Sequence, residues 1–167
     1  MRRSGPDRHD VWPSAPEAIH PGEARDDPYQ ARGPYSPAMP AVRDHMSSDL
    51  LSVEASVSIM EVAQRMVERN VGAVLVLDDG RLAGILTERD VLRAVARGLG
   101  DSTRVADCMT TRPETIAPDD TTDHAAVLML HGGFRHLPVV EADDVVGVIS
   151  IRDLVPLLLE DTAPRGV

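Results

Sequence analysis

Hydrophobic and polar positions follow two different periods along the chain from residue 41 onward. A short apolar segment around Val53 is followed by apolar residues at helical spacing, which predicts a strand and then an amphipathic helix. The apolar helical positions are Ile59, Ala63, Met66 and Val67. Serine is a typical helix N-cap, so Ser56 is expected to begin this helix.

Two apolar runs come next, at residues 73–77 and 82–86, with Asp-Asp-Gly between them. Short apolar runs joined by such turn residues predict a β-hairpin. A second helix is expected to begin at Thr87 and to end at Gly98 and Gly100. The apolar positions expected to form its buried stripe are Val91, Leu92, Val95 and Leu99.

The same order of elements occurs twice, because the chain repeats itself at a constant offset of 63 residues without a gap. The best match joins residues 84–90 to residues 147–153. In the second copy, the corresponding features are Ile116 for the short first strand, Asp119 for the N-cap, residues 136–140 and 145–149 for the hairpin, and Ser150 for the start of the second helix.

Each repeat therefore predicts the order strand, helix, strand, strand, helix. A unit of about 60 residues has a poor core by itself, so the two copies should pack together. The predicted fold class is α/β, of the α+β type, with two βαββα repeats related by a pseudo-two-fold axis. The expected boundaries are 41–102 for the first repeat, 103–162 for the second and 163–167 for a C-terminal tail.

Residues 1–40 lack any such periodicity. Eight of the 13 prolines lie in this stretch, among Gly, Ser and charged residues. A segment of this composition cannot bury enough apolar surface to order itself, so we expect a disordered, Pro-rich tail.

The charge and composition of the chain indicate which partners it can bind and which cellular compartment it suits. The chain carries 17 basic residues, all of them Arg, against 27 acidic ones, and its net charge of -10 argues against nucleic acid. No apolar run is long enough to cross a bilayer, and the start lacks a secretory signal. A single cysteine, Cys108, suits a reducing compartment. We therefore expect a cytoplasmic protein with no membrane partner.

The stretch from Val42 to about Glu160 resembles a tandem pair of cystathionine-β-synthase-type (CBS) repeats, also called a Bateman module. Such repeats share a Met near their start, an Ala and a Met in the first helix, a Leu-Pro-Val strand, and a Gly-to-Asp ending that contains Thr or Ser. The matching residues are Met46 and Met109, Ala63 with Met66, Ala126 with Met129, Leu137-Pro138-Val139, and residues 84–90 and 147–153. The first copy departs from the pattern at Leu75, which replaces the proline.

The resemblance implies that adenosine derivatives such as AMP, ADP, ATP or S-adenosylmethionine bind in clefts between the repeats, and Mg²⁺ could accompany ATP. It also implies a homodimer that signals to a protein partner, which the sequence does not identify. Three hypotheses follow: a ligand-gated regulator, an interaction module that binds no nucleotide, and a detached regulatory subunit of an enzyme or channel.

The same resemblance implies that Asp90 and Asp153 accept hydrogen bonds from ribose hydroxyls, in motifs that begin at Thr87 and Ser150. A Thr or Ser followed three residues later by Asp is also a helix capping box. The two roles are compatible, and the residue pattern leaves both open.

Phosphate groups are expected to meet Arg135 and His136, because the family commonly has basic residues there and the Arg fork matches phosphate oxygens. The alternative is a surface Arg and an edge-strand His. The aligned residues of the first copy, Gly72 and Ala73, carry no charge. The clefts are thus predicted to differ, with Arg135 and His136 facing Asp90 so that the Asp90 cleft fills first.

Four further residues complete the expected site. Arg89 and Arg152 could assist with phosphate, and an Arg in the first turn of a helix is as often merely solvated. Adenine is implied to lie against the backbone near Glu114 in one cleft and near Leu51 in the other.

Catalysis and metal binding receive no support from the residue pattern. No nucleophile with a base, no pair of catalytic carboxylates and no Walker-type loop stands out, so we expect a protein that is not an enzyme. The His and Cys spacings do not match a structural zinc site. Cys108 is expected to be a buried thiol.

Overall fold

The computed structural model describes residues 40–162, and their side chains as far as Leu157. The predicted tails, residues 1–40 apart from Pro40 and residues 163–167, lie outside the described part. The elements are β1 Ser52–Glu54, α1 Ile59–Arg69, β2 Ala73–Asp78, β3 Arg81–Thr87, α2 Glu88–Ala96, β4 Thr110–Thr111, α3 Thr122–Gly132, β5 His136–Glu141, β6 Asp144–Ser150 and α4 Ile151–Thr162.

This order confirms the predicted fold class, a mixed α and β architecture built from two similar repeats. The first sheet has the strand order β1-β2-β3-β4, in which β1 and β2 are parallel and the other neighbours antiparallel. The second sheet is the β5-β6 hairpin. There the predicted first strand is reduced to one parallel bridge between Ile116 and Val139.

Both predicted hairpins are present, and each has a two-residue turn. Asp79 and Gly80 have φ of 46° and 81°, and Ala142 and Asp143 have φ of 47° and 75°. Two successive positive φ angles define the type I′ turn, whose twist matches that of the flanking strands.

Both first helices begin later than predicted, so the N-caps assigned to Ser56 and Asp119 are wrong. The side chain of Ser58 accepts a hydrogen bond from the Glu61 amide at 3.2 Å, and Thr121 caps α3 in the same way. Ser56 and Asp119 instead lie in the turns that precede the helices. The apolar period identified the helices but not the residue at which the backbone leaves the extended conformation.

The buried stripe predicted for α2 is wrong except at Val91, which is partly buried and packs against the first core. Leu92 and Val95 are 67% and 57% exposed, and Leu99 is exposed as well. The buried residues of α2 are Asp90 and Ala94. The sheet therefore covers the face that carries the capping carboxylate, and most of the apolar stripe faces outward.

The leading segments of the two repeats are exchanged between the two hydrophobic cores. Val42, which precedes β1, is fully buried in the core of the second repeat, and Val105 and Cys108 are buried in the core of the first. A Cβ on Gly84 would lie 2.7 Å from Met109 Sδ, and a Cβ on Gly147 would lie 2.5 Å from Met46 Sδ. The repeats thus interlock, because each glycine admits a methionine from the leading segment of the other repeat.

No helix among the described residues combines the length and the hydropathy needed to span a membrane.

Candidate functional site

The starts of α2 and α4 carry the same capping arrangement. Asp90 Oδ2 accepts hydrogen bonds from the Thr87 amide at 2.9 Å and from the Thr87 hydroxyl at 2.6 Å. Asp153 Oδ2 accepts the equivalent bonds from the Ser150 amide and hydroxyl, both at 2.7 Å. The structure therefore shows the capping role for both motifs.

The second carboxylate oxygen distinguishes the two motifs. Asp90 Oδ1 lies 3.2 Å from the Arg93 guanidinium, and the Asp90 side chain is only 6% exposed. In the second repeat, Pro156 occupies the position of Arg93, and Asp153 Oδ1 has no hydrogen-bond or ion-pair partner among the described residues. Asp153 is half-buried and so retains a reachable acceptor.

A cleft of about 220 Å³ lies beside the start of α4. Its position follows from two equivalent backbone bonds, from the Ile151 amide to the Arg135 carbonyl at 2.9 Å and from the Glu88 amide to the Gly72 carbonyl at 3.1 Å. Each bond ties the start of a helix to the residues before a strand. The lining residues are Glu88, Arg135, His136, Ser150, Ile151 and Arg152.

Two guanidinium groups in this cleft are uncommitted. Among the residues that the structure describes, the side chains of Arg135 and Arg152 take part in no hydrogen bond or ion pair. Both side chains are exposed, so they are accessible to a ligand. Guanidinium groups donate paired hydrogen bonds to anions with several oxygens, such as phosphate.

His136 lies in the same cleft as a neutral side chain at neutral pH. Burial lowers the pKa of His136 below its ordinary value, and the charge of Arg135 lowers the pKa further. Glu88 and Asp153 act in the opposite direction, and Arg152 adds to the lowering. A neutral imidazole has one donor and one acceptor nitrogen.

Gly72 allows the two repeats to approach each other at this point. A Cβ on Gly72 would collide with Glu88 Oε1 and would lie 3.2 Å from His136 Nε2. Gly72 and Glu88 belong to the first repeat and His136 belongs to the second, so the cleft is lined by side chains of both repeats.

The structure brings together four of the residues predicted for the site, Arg135, His136, Ser150 and Arg152. The sequence analysis had placed Arg135 and His136 in one cleft and Ser150 in the other. Thr87, Asp90 and Asp153 are not among the lining residues of this cleft, although Asp153 is bonded to the lining residue Ser150.

The other predicted residues lie at its margins or beyond. Arg89 reaches from α2 to the Gly133 carbonyl at 3.5 Å, in the loop that leads to Arg135. Leu51 and Glu114 are half-buried in the segments that precede the first strands. The Leu51 carbonyl accepts a hydrogen bond from the Leu75 amide at 3.0 Å.

Known families and structures account for this architecture. The family model described as the CBS domain matches the chain twice, over residues 42–97 and 105–160. This chain belongs to the CBS domain family. The predicted resemblance to a tandem CBS pair is confirmed. The chain is similar to the CBS domain-containing protein YhcV of Bacillus subtilis, with 35% identity over 117 residues that cover 70% of this chain and 84% of YhcV.

Solved CBS structures with bound adenosine derivatives are similar to this CBS pair. The CBS domain pair of protein MJ0100, in complex with 5′-methylthioadenosine and S-adenosyl-L-methionine, superposes with a TM-score of 0.69 at 27% identity, covering 74% of this chain and 99% of that one. The CBS domain protein PAE2072 from Pyrobaculum aerophilum, complexed with AMP, gives a TM-score of 0.67 at 30% identity, covering 72% and 96%.

Two lining residues of the CBS pair escaped the sequence analysis, Glu88 and Ile151. They occupy aligned positions, immediately after Thr87 and Ser150. Both lie inside the capping motifs, directly after the capping residue, and this position at the start of a helix is the signal that would have identified them. One is an acid and the other is apolar, so the two repeats contribute unequally to the cleft.

Other reactive side chains of the CBS pair are not assembled into a second centre. Among the described residues, no group of three or more His, Cys, Asp or Glu side chains is arranged to hold a metal ion. Cys108 is buried at 1% exposure, as predicted, and burial raises the pKa of its thiol. A buried, protonated thiol is a poor nucleophile.

Proposed function

We propose that this CBS pair is a regulatory sensor that binds an adenine nucleotide in the cleft lined by Arg135, His136 and Arg152, and that it is not an enzyme. The proposal rests on the guanidinium groups of Arg135 and Arg152, which have no hydrogen-bond or ion-pair partner among the described residues. Charge-assisted hydrogen bonds from such groups to phosphate are about twice as strong as neutral ones. The adenosine derivatives bound by MJ0100 and PAE2072 support the choice of an adenosine ligand.

The ribose is proposed to bind next to Ser150, with Asp153 as the acceptor of its hydroxyl hydrogens. Asp153 Oδ1 is without a partner among the described residues, whereas Arg93 already holds Asp90 Oδ1. These contacts favour Asp153 over Asp90, which the sequence had placed in the tighter cleft. Glu114 and Leu51 remain the proposed neighbours of adenine, each in one of the two clefts.

Signalling follows from the way the cleft is divided between the repeats. A nucleotide that contacts Arg135 and Arg152 of the second repeat also meets Glu88 of the first. A ligand shifts a conformational equilibrium only by binding one arrangement better than another, and a ligand that bridges two repeats meets this condition. The output is proposed to reach a protein partner, either from a free-standing sensor or from a detached regulatory subunit.

The protein is further proposed to be a homodimer. Both repeats expose large apolar side chains at aligned positions, Val67 with Leu130 and Leu92 with Val155. Their exposures are 81%, 75%, 67% and 44%. Isolated exposed apolar residues are common, but apolar residues repeated at equivalent places on both repeats favour burial against a second copy.

Calorimetric titration of the full chain with AMP, ADP, ATP and S-adenosylmethionine tests the proposed ligand class. At least one should bind with saturation. Arg135→Gln should weaken the AMP affinity about tenfold or more, because a charge-assisted bond contributes roughly 1.5 to 3 kcal/mol. Adenosine, which lacks phosphate, should bind both proteins equally.

Arg81→Gln is the matched control, since Arg81 is exposed at the start of β3, at the opposite end of the hairpin from Glu88. This variant should bind AMP as the unmodified chain does. If none of the four ligands binds with saturation, the interaction module that binds no nucleotide replaces the sensor as the better account.

A further inference from the structure

We propose that Glu88 determines which nucleotides this cleft accepts, by favouring one phosphate group over two or three. This inference rests on the proposed nucleotide binding. It concerns the second residue of the Thr87-to-Asp90 motif, which makes none of the capping hydrogen bonds and has an apolar counterpart in the other repeat.

The Glu88 carboxylate lies in the same cleft as Arg135 and Arg152, the side chains proposed to bind phosphate. Its Oε1 lies close to Gly72. A Cβ added to Gly72 would collide with this oxygen and would lie 3.2 Å from His136 Nε2. Glu88 lines the cleft together with Arg135 and Arg152. Its charge is close enough to His136 to raise the pKa of that imidazole.

The fold does not require an acid at this position. The start of α2 is capped by Thr87 and Asp90, and the Glu88 side chain takes part in no hydrogen bond or ion pair among the described residues. The aligned residue of the second repeat is Ile151, which begins α4 without a carboxylate. Glu88 is therefore free to act on a ligand.

The net charge of about +1 on the lining side chains comes nearer to balancing one phosphate than two or three. Arg135 and Arg152 contribute two positive charges and Glu88 one negative charge, while His136 is neutral at neutral pH. A phosphate monoester carries about -1.5 to -2 at pH 7. Each additional phosphate of ADP or ATP adds negative charge that must be placed beside the Glu88 carboxylate. Like charges a few ångströms apart disfavour binding.

The test compares AMP and ATP affinities of the full chain, of Glu88→Gln and of Asp79→Asn, by calorimetry with and without Mg²⁺. Asp79→Asn removes the same charge at the hairpin turn, about 20 Å from the cleft by strand rise, and Asn is well suited to the positive φ of that turn. Thermal melting of each variant establishes that it is folded.

In Glu88→Gln, the ratio of ATP affinity to AMP affinity should rise by about tenfold, while Asp79→Asn should leave this ratio unchanged. An unchanged ratio in Glu88→Gln overturns the inference while leaving nucleotide binding intact. A fall in ATP affinity confined to Mg²⁺-containing buffer also overturns it, since Glu88 would then hold the ion. If the unmodified chain binds neither nucleotide, the inference is overturned together with the proposed function.

Discussion

The charges around His136 determine when this side chain carries a proton. Its pKa in the folded protein is lowered by burial and by Arg135 and Arg152, and these effects outweigh Glu88 and Asp153. The unfolded chain, with an ordinary His pKa near 6.5, then binds a proton that the folded chain does not. This group therefore destabilises the fold as the pH falls below about 6.5 and has no effect above that range.

A bound phosphate should reverse this shift, because the negative charge stabilises the imidazolium. Nucleotide binding is therefore expected to raise the pKa of His136 and to be coupled to proton uptake as the pH falls. The phosphate of AMP itself titrates near pH 6, so the comparison with His136→Asn isolates the contribution of His136. The ratio of wild-type to variant AMP affinity should be roughly threefold or more higher at pH 6 than at pH 7.5. An equal ratio at both pH values would show that His136 does not face the phosphate.

At the scale of single residues, the sequence was informative where a motif or an aligned position marked a side chain. Arg135, His136 and Arg152 were predicted as site residues in this way, and their role stays a prediction. Glu88 was not found, because its significance depends on the space above Gly72 and on His136 from the other repeat. Contacts of this kind are not encoded in spacing along the chain.

At the scale of elements, the exchanged leading segments explain why two short repeats form a stable unit. β4 pairs with β3 through Gly84 and Ile85, so the start of the second repeat extends the sheet of the first. A Cβ on Gly84 would lie 2.8 Å from the Thr110 carbonyl oxygen and 2.7 Å from Met109 Sδ. The backbone oxygen cannot move away without disturbing this pairing.

Gly84→Ala should therefore destabilise the protein by about 1 to 3 kcal/mol, the usual effect of overpacking. The free energy of unfolding in urea measures this change. Gly100→Ala is the matched control, since a Cβ there has no neighbour within 4 Å. Equal stability of the two variants would show that β3 and β4 are not packed as described.

The elements themselves were largely predictable, because apolar periods of two and of about 3.6 residues identify strands and helices directly. The residue at which each helix begins and the face that it buries were harder to predict. Ser58 rather than Ser56 caps α1, and Leu92 faces outward while Asp90 is buried. The apolar period shows that a helix has an apolar face, but it does not show whether the sheet or another surface covers that face. The burial of Asp90 could not be predicted from the period, because it depends on the capping hydrogen bonds of its carboxylate.

At the scale of the whole molecule, the exposed apolar residues of the helices determine the expected assembly. Leu92 and Val155 occupy equivalent positions in the two repeats and are both exposed. Burying them against a second copy removes apolar surface from water, which stabilises an assembly.

We expect a dimer by light scattering at micromolar concentration, and Leu92→Glu should weaken it by about tenfold or more, because an unpaired charge would become buried. Ser48→Glu, in the exposed loop before β1, adds the same charge as a control and should leave the dimer intact. A monomer mass for the unmodified chain would contradict the proposed homodimer, and equal dissociation in both variants would place the interface elsewhere.

A crystal structure of the full chain grown with saturating AMP would locate the phosphate and the ribose of the nucleotide. The phosphate should lie within hydrogen-bond distance of the Arg135 and Arg152 guanidinium groups, with the ribose hydroxyls on Asp153 Oδ1. Density for AMP at a site that contacts neither arginine, or no density at a concentration that saturates PAE2072, would contradict the account.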